Sequence, residues 1–229
     1  DRIYREGIGF KMGPFELGDL TGMDVSHPVS ESIYQQYYQE PRYRPNINSR
    51  QRFIARQLGR KTGQGFYDYR SGQQQGDVLP EHVERLSQYP SVWIGADFAK
   101  DAQALKQYLT THHIPLDQHS MPQAHSLVLL ACYGEDATSA ARRYGVDPRQ
   151  VVCIDLIYGL DKHRTLMPSL ITTDELLNAA RSIFNLDGQS LTVIAESVGF
   201  VAQRAMAMIV NLGCDIAQQK IVSVDDINA

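Results

Sequence analysis

The 229-residue chain is 43% hydrophobic and 21% charged with a formal net charge of −4, a composition that suits one sizeable core or two small ones. Its Lys and Arg residues are scattered, which argues against a nucleic-acid partner. No apolar run approaches the roughly 20 residues of a membrane span and nothing at the start resembles a signal peptide, so a cytoplasmic protein with no membrane partner is expected.

Residues 1–70 show helical spacing broken by turn signals at Gly7, Gly9, Gly13-Pro14, Gly22 and the Pro41 to Pro45 loop, and predict an all-helical region. Val29, Ile33, Tyr34 and Tyr37 share one helical face and read as packing residues. Residues 71–90 are polar and rich in Gly, Gln and Pro, the composition of a linker. Four β-rich runs follow, at 91–96, 126–132, 151–157 and 190–195. Between them, 98–111, 136–144 and 174–184 have helical periodicity, the last with a capping-box pattern from Thr172 to Glu175. Strands alternating with helices predict a mainly parallel, doubly wound sheet. Residues 198–220 read as a long amphipathic helix with Ala205, Met208, Ile209, Leu212 and Ile216 on one face, its methionines in the core.

Metal and redox chemistry have little support. Cys132, Cys153 and Cys214 are odd in number and lack ligand spacing, so buried, reduced thiols are expected. The loose group His112, His113 and His119 is not expected to hold a metal. Gly59-Arg-Lys-Thr62 is not a P-loop, because that motif needs a glycine directly before the lysine and a strand ahead of it.

Two motifs carry the functional reading: GPFELGDLTGMDV from Gly13 to Val25, and GRKTGQGFYDY from Gly59 to Tyr69. In the first, Gly13-Pro14 should open a helix; in the second, Gly63 and Gly65 should let the chain turn before Phe66 and Tyr67 anchor inward. The pair resembles the C-terminal helical domain of 3-hydroxyacyl-CoA dehydrogenases. The resemblance implies oxidation of a (3S)-3-hydroxyacyl-CoA to the 3-oxoacyl-CoA with NAD as cofactor, acyl-CoA as substrate partner, and homo-oligomer formation through helical domains. It carries one cofactor-binding candidate, Lys61, whose ammonium could meet a pyrophosphate or carboxamide oxygen. The alternative is a solvated lysine at a helix C-terminus.

Residues 91–229 resemble a worn second copy of the same two-domain unit, as in long bacterial members linked to phenylacetate and fatty-acid breakdown. The expected fold is therefore α/β plus all-α: a helical domain over 1–70 lacking its first helix, a linker over 71–90, a degenerate Rossmann-like domain over 91–197, and over 198–229 the first helix of a second helical domain. Against a G-x-G-x-x-G loop the chain offers Gly95, Asp97 and Lys100, which leaves only the first glycine. Asp117 stands where a ribose-binding acid is expected, and reads equally well as a turn residue. Against the family's catalytic His, its orienting Glu and the Asn of G-F-x-x-N-R, the chain has Asp155, Met167 and Gln203. No catalytic residue is expected, Gln203 is the substrate-binding candidate, and His163 reads as a satisfied or surface histidine.

The start at Asp1 without a methionine and the end on Ser223-Val-Asp-Asp-Ile-Asn-Ala229, which reads as a helix start capped by Ser223, suggest a piece of a longer protein. The working active site is then expected outside this chain. Two other readings stay open, a structural or dimerisation module and a repurposed CoA or nucleotide binder.

Overall fold

The computed structural model describes residues 1–72, 74–75 and 83–228. Residues 73 and 76–82, within the stretch read as a linker, lie outside them. The chain divides into two compact units, one comprising Asp1–Arg5 and Gly9–Glu81, the other Glu6–Ile8 and His82–Ala229.

The first unit is built from α1 (Pro14–Thr21), α2 (Met23–Gln36) and α3 (Ile47–Ile54), with short 3-10 turns at Pro41–Tyr43 and Arg60–Thr62. Pro14 is the first residue of α1, where its missing N–H costs nothing, and the Asp1 carboxylate accepts from the next two amides, Phe15 N at 3.0 Å and Glu16 N at 3.1 Å. Helix α2 begins earlier than the tyrosine-bearing stretch suggests and carries Pro28 in its second turn. One buried acid joins the two sequence motifs: Asp19 on α1 accepts from Phe66 N (2.8 Å), Tyr67 N (2.9 Å) and the Tyr69 hydroxyl (3.1 Å). Gly65 makes this approach possible, since a Cβ there would lie 2.1 Å from Asp19 Oδ1. Gly63 turns the chain at φ +74°, Phe66 stacks on Phe15 with ring centroids 4.5 Å apart, and Tyr67 is buried.

The second unit contains a five-stranded sheet in the order β1-β2-β3-β4-β5: Val92–Ala96, Leu127–Ala131, Val151–Ile154, Arg164–Pro168 and Leu191–Val193. All neighbours are parallel except β3 and β4. Strand β4 was not expected from the sequence: Arg164 and Thr165 interrupt its apolar pattern, yet both are buried. Arg164 is satisfied by Asp187 at 2.5 and 2.7 Å, by the carbonyls of Leu160 (2.9 Å) and Phe184 (2.6 Å), and by the Tyr108 hydroxyl (3.1 Å).

Period-two alternation sorts the sheet's two faces. On one, Val92, Leu127, Leu129, Val152 and Leu166 pack with α4 (Ala99–Thr111) and α6 (Asp174–Ile183). On the other, Val128, Leu130, Cys153 and Met167 pack with α5 (Ala137–Tyr144) and Phe200. The α4 crossover first leads to a single parallel bridge between Leu116 and Val92 on the free edge of β1, before the chain reaches β2 on the other side. The α5 crossover steps the opposite way, from β2 to β3. Opposite steps with helices on opposite faces have the same hand, so the sheet is doubly wound with its switch point between β1 and β2.

Helix α5 is capped by Asp136, which accepts from Ser139 N at 2.6 Å. The capping box expected at α6 does not form. Thr173 is its N-cap, without a side-chain bond, and Thr172 instead donates to the Val151 carbonyl at 2.6 Å. Helix α7 (Val201–Gln218) precedes α8 (Val224–Asn228), which Ser223 caps through Asp226 N at 3.2 Å. Contrary to the expectation of a methionine core, Met208 is 44% exposed and Ile209 49%. Cys132 and Cys153 are buried as expected, whereas Cys214 is exposed.

Candidate functional site

In a doubly wound sheet, ligands bind where neighbouring strands diverge, outside their C-terminal ends. In the second unit that place is reached by Asp97 after β1, by Cys132 to Glu135 after β2, by Asp155 after β3 and by the first turn of α7.

The polar groups there are paired with one another. Asp97 Oδ2 accepts from Tyr133 N at 3.1 Å, while its Oδ1 accepts from Arg143 Nη2 at 2.7 Å and the Tyr144 hydroxyl at 3.2 Å. Arg143 also pairs with Glu135, and the two carboxylates hold its guanidinium firmly charged. The Tyr133 hydroxyl donates to the buried Asp101 at 2.9 Å; burial and that carboxylate raise the phenol well above its usual range. Gly95 lies inside β1, not in a loop. A Cβ there would meet Leu130 Cδ2 at 2.7 Å, so its missing side chain serves sheet packing. Lys100 is on α4, near the ring of Phe98. An NAD diphosphate does not fit this arrangement: it would face the Asp97 carboxylate and find the Tyr133 amide already taken.

Asp117 lies at the other end of the sheet. Its amide bonds to the Val92 carbonyl, level with the first residue of β1, whereas the switch point follows Ala96, roughly 13 Å further at the usual strand rise. Its carboxylate is consumed locally by Ser126 Oγ (2.6 Å), Gln123 N (2.8 Å) and His119 (2.7 Å to Nδ1). Despite the cost of burial, these bonds hold it well below the usual carboxylate range. Its role is that of a loop residue.

Asp155 and Gln203, which the resemblance aligns with a catalytic His and a substrate-side Asn, do meet. Gln203 Nε2 donates to Asp155 Oδ1 and to the Cys132 carbonyl, each at 3.1 Å, and its Oε1 accepts from Gly134 N at 3.1 Å. Burial raises the Asp155 carboxyl above its ordinary range against the opposing bonds from Ile157 N and Gln203. Met167 lies opposite Cys153 in the β3–β4 ladder and its sulfur accepts from Ser197 N at 3.4 Å. His163 is a satisfied buried histidine, with Ser190 Oγ at 2.7 Å on Nδ1 and Thr192 Oγ1 at 2.8 Å on Nε2.

Lys61 belongs to the first unit and sits in the 3-10 turn after α3. Its Nζ donates to Asp24 in the first turn of α2 at 2.6 Å, and the bond lowers that carboxyl's pKa. Two cavities of this unit, of about 610 and 490 Å³, do not include Lys61 in their walls. Arg143, Glu135, Tyr133 and Asp101 were not singled out from sequence. They come from three separate elements, and the only local signal is the eight-residue spacing of Glu135 and Arg143 across the start of α5. No group of three or more potential metal ligands occurs among the described residues, and none of their helices is long and apolar enough to cross a membrane.

Residues 1–69 match the family model described as 3-hydroxyacyl-CoA dehydrogenase, C-terminal domain. Over the whole chain the sequence is 28% identical to the 3-hydroxyadipyl-CoA dehydrogenase of Escherichia coli K12, covering 42% of that protein. Over 70 residues it is 33% identical to the mitochondrial hydroxyacyl-coenzyme A dehydrogenase of Mus musculus, covering 31% of this chain and 22% of the mouse protein. Among solved structures, a 3-hydroxybutyryl-CoA dehydrogenase from Escherichia coli K12 aligns over 99% of this chain and 42% of its own, with a TM-score of 0.73 and 27% identity. The chain thus spans about two fifths of the length of these E. coli relatives. Residues 1–69 thus match the C-terminal domain of 3-hydroxyacyl-CoA dehydrogenases, and the whole chain is similar in sequence and fold to part of the E. coli enzymes.

Proposed function

We propose that the protein is part of an NAD-dependent (3S)-3-hydroxyacyl-CoA dehydrogenase that oxidises its substrate to the 3-oxoacyl-CoA during acyl-CoA breakdown, and that this chain supplies framework while the chemistry is done elsewhere. The observation that carries the reading is the Asp155–Gln203 pair. By the resemblance the pair would stand where a base and a polarising amide face substrate, but the two side chains bond to each other and to the backbone. The likeness to the E. coli 3-hydroxyadipyl-CoA dehydrogenase makes a 3-hydroxy dicarboxylic acyl-CoA one substrate to try. In this reading NAD is held by a domain outside the chain, and Lys61 approaches it by exchanging Asp24 for a cofactor oxygen. Purified chain should then show no oxidation of NADH with acetoacetyl-CoA, whereas a protein that adds an upstream Rossmann domain should be active. Saturable turnover by the chain alone would refute the division of labour.

The exposed apolar residues Met208, Ile209, Val210, Ile216 and Ile227 on α7 and α8 favour a second role, assembly with another copy of the chain. Light scattering should show an oligomer that Ala205→Glu and Met208→Glu weaken. A monomer unaffected by either change would remove the assembly role.

A further inference from the structure

We propose that the switch-point crevice of the second unit is self-liganded: Asp97 takes the place of a ligand's anionic group, bridging the backbone after β2 and the guanidinium of Arg143. The proposal rests on the family reading only in that it explains why this copy would not use its crevice.

The geometry is that of an anion site with the anion supplied from within. Oxyanions at such crevices are held by backbone N–H groups and by forked guanidinium donors. Here the Asp97 carboxylate lies immediately before α4 and uses both kinds of donor, Tyr133 N at 3.1 Å and Arg143 Nη2 at 2.7 Å, with the Tyr144 hydroxyl as a third at 3.2 Å. The next backbone donor along the same rim, Gly134 N, is taken by Gln203 Oε1 at 3.1 Å. Glu135 adds a second carboxylate on Arg143. An incoming diphosphate would therefore meet two negative groups, with the Tyr133 and Gly134 amides and Arg143 Nε and Nη2 already engaged. The Asp97 and Glu135 side chains remain 20% and 22% exposed and that of Arg143 46%, so the network is open enough to water for its removal to leave the fold standing.

The matching class of ligand is a nucleoside diphosphate, and the probes are inorganic pyrophosphate and ADP. Titration calorimetry on the wild-type chain should give no heat with either at millimolar concentration. Asp97→Gly combined with Glu135→Gln should bind pyrophosphate at least about tenfold more tightly than wild type, and adding Arg143→Gln should abolish that gain. The isosteric Asp97→Asn with Glu135→Gln guards against a folding failure, and thermal melts establish that each variant is folded. Binding by the wild-type chain that survives Arg143→Gln would overturn the proposal. So would folded variants of both kinds that bind nothing, a result that leaves the family reading untouched.

Discussion

The resemblance aligns Asp155 with a proton-exchanging imidazole, and the structure gives its carboxyl a buried environment unlike that of such a group. Burial raises its pKa, so the folded state binds the proton more tightly than the unfolded chain. The associated stability is fully present below the unfolded carboxylate range and is lost as pH rises through the raised folded value. Asp155→Asn, whose amide oxygen can still accept from Ile157 N and Gln203, should therefore melt higher than wild type at pH 8, by a margin that shrinks toward pH 4. A constant margin across that range in thermal melts would disprove the assignment. Asp19→Ala leaves the donors of Phe66, Tyr67 and Tyr69 without their acceptor and should cost about 3 kcal/mol in urea unfolding. Lys61→Gln, which breaks only the exposed pair with Asp24, should leave the melting temperature unchanged. From the sequence, Lys61, Asp155 and Gln203 could be picked out because motifs flank them. Asp24 as the partner of Lys61 and Arg143 as the partner of Asp97 could not, because each contact joins residues far apart in the chain.

Elements bounded by local chemistry were the easiest to place. Pro14 opens α1, Asp136 caps α5 and Ser223 caps α8, each through neighbours in sequence. The Thr172 to Glu175 pattern failed as a cap because β3 offered Thr172 a better acceptor, the Val151 carbonyl. The two helices can be separated by experiment: Asp136→Ala should destabilise by about 1 kcal/mol, while Thr173→Ala, which loses no side-chain bond, should be close to neutral. Equal losses in chemical denaturation would contradict the capping assignment. Strands β1, β2, β3 and β5 announced themselves as apolar runs, whereas β4 did not, because its first residue is the buried Arg164. Its guanidinium ties the start of β4 to the turn after α6. Arg164→Met should cost about 2–3 kcal/mol, because it strands the carbonyls of Leu160 and Phe184 while Asp187 stays partly solvated. Full retention of stability would mean that the carbonyls and Asp187 find other donors.

At the scale of the whole molecule, alternation of strands and helices was enough to predict a doubly wound sheet, and the alternating inner faces of β2 confirm it. The pairing on the free edge of β1 was not legible, because the Leu116 bridge to Val92 is a single pairing with no apolar run behind it. Asp117, next to that bridge, lies at the N-terminal end of β1, while Asp97 and Gln203 occupy the Tyr133 and Gly134 amides at the C-terminal end of the sheet. The central claim, that the α/β unit keeps the architecture of a dehydrogenase without its chemistry, is tested most directly by the reductive assay. The purified 229-residue chain, mixed with acetoacetyl-CoA and NADH, should oxidise the nucleotide no faster than buffer does. A saturable rate that scales with protein concentration and disappears in Asp155→Asn would contradict it.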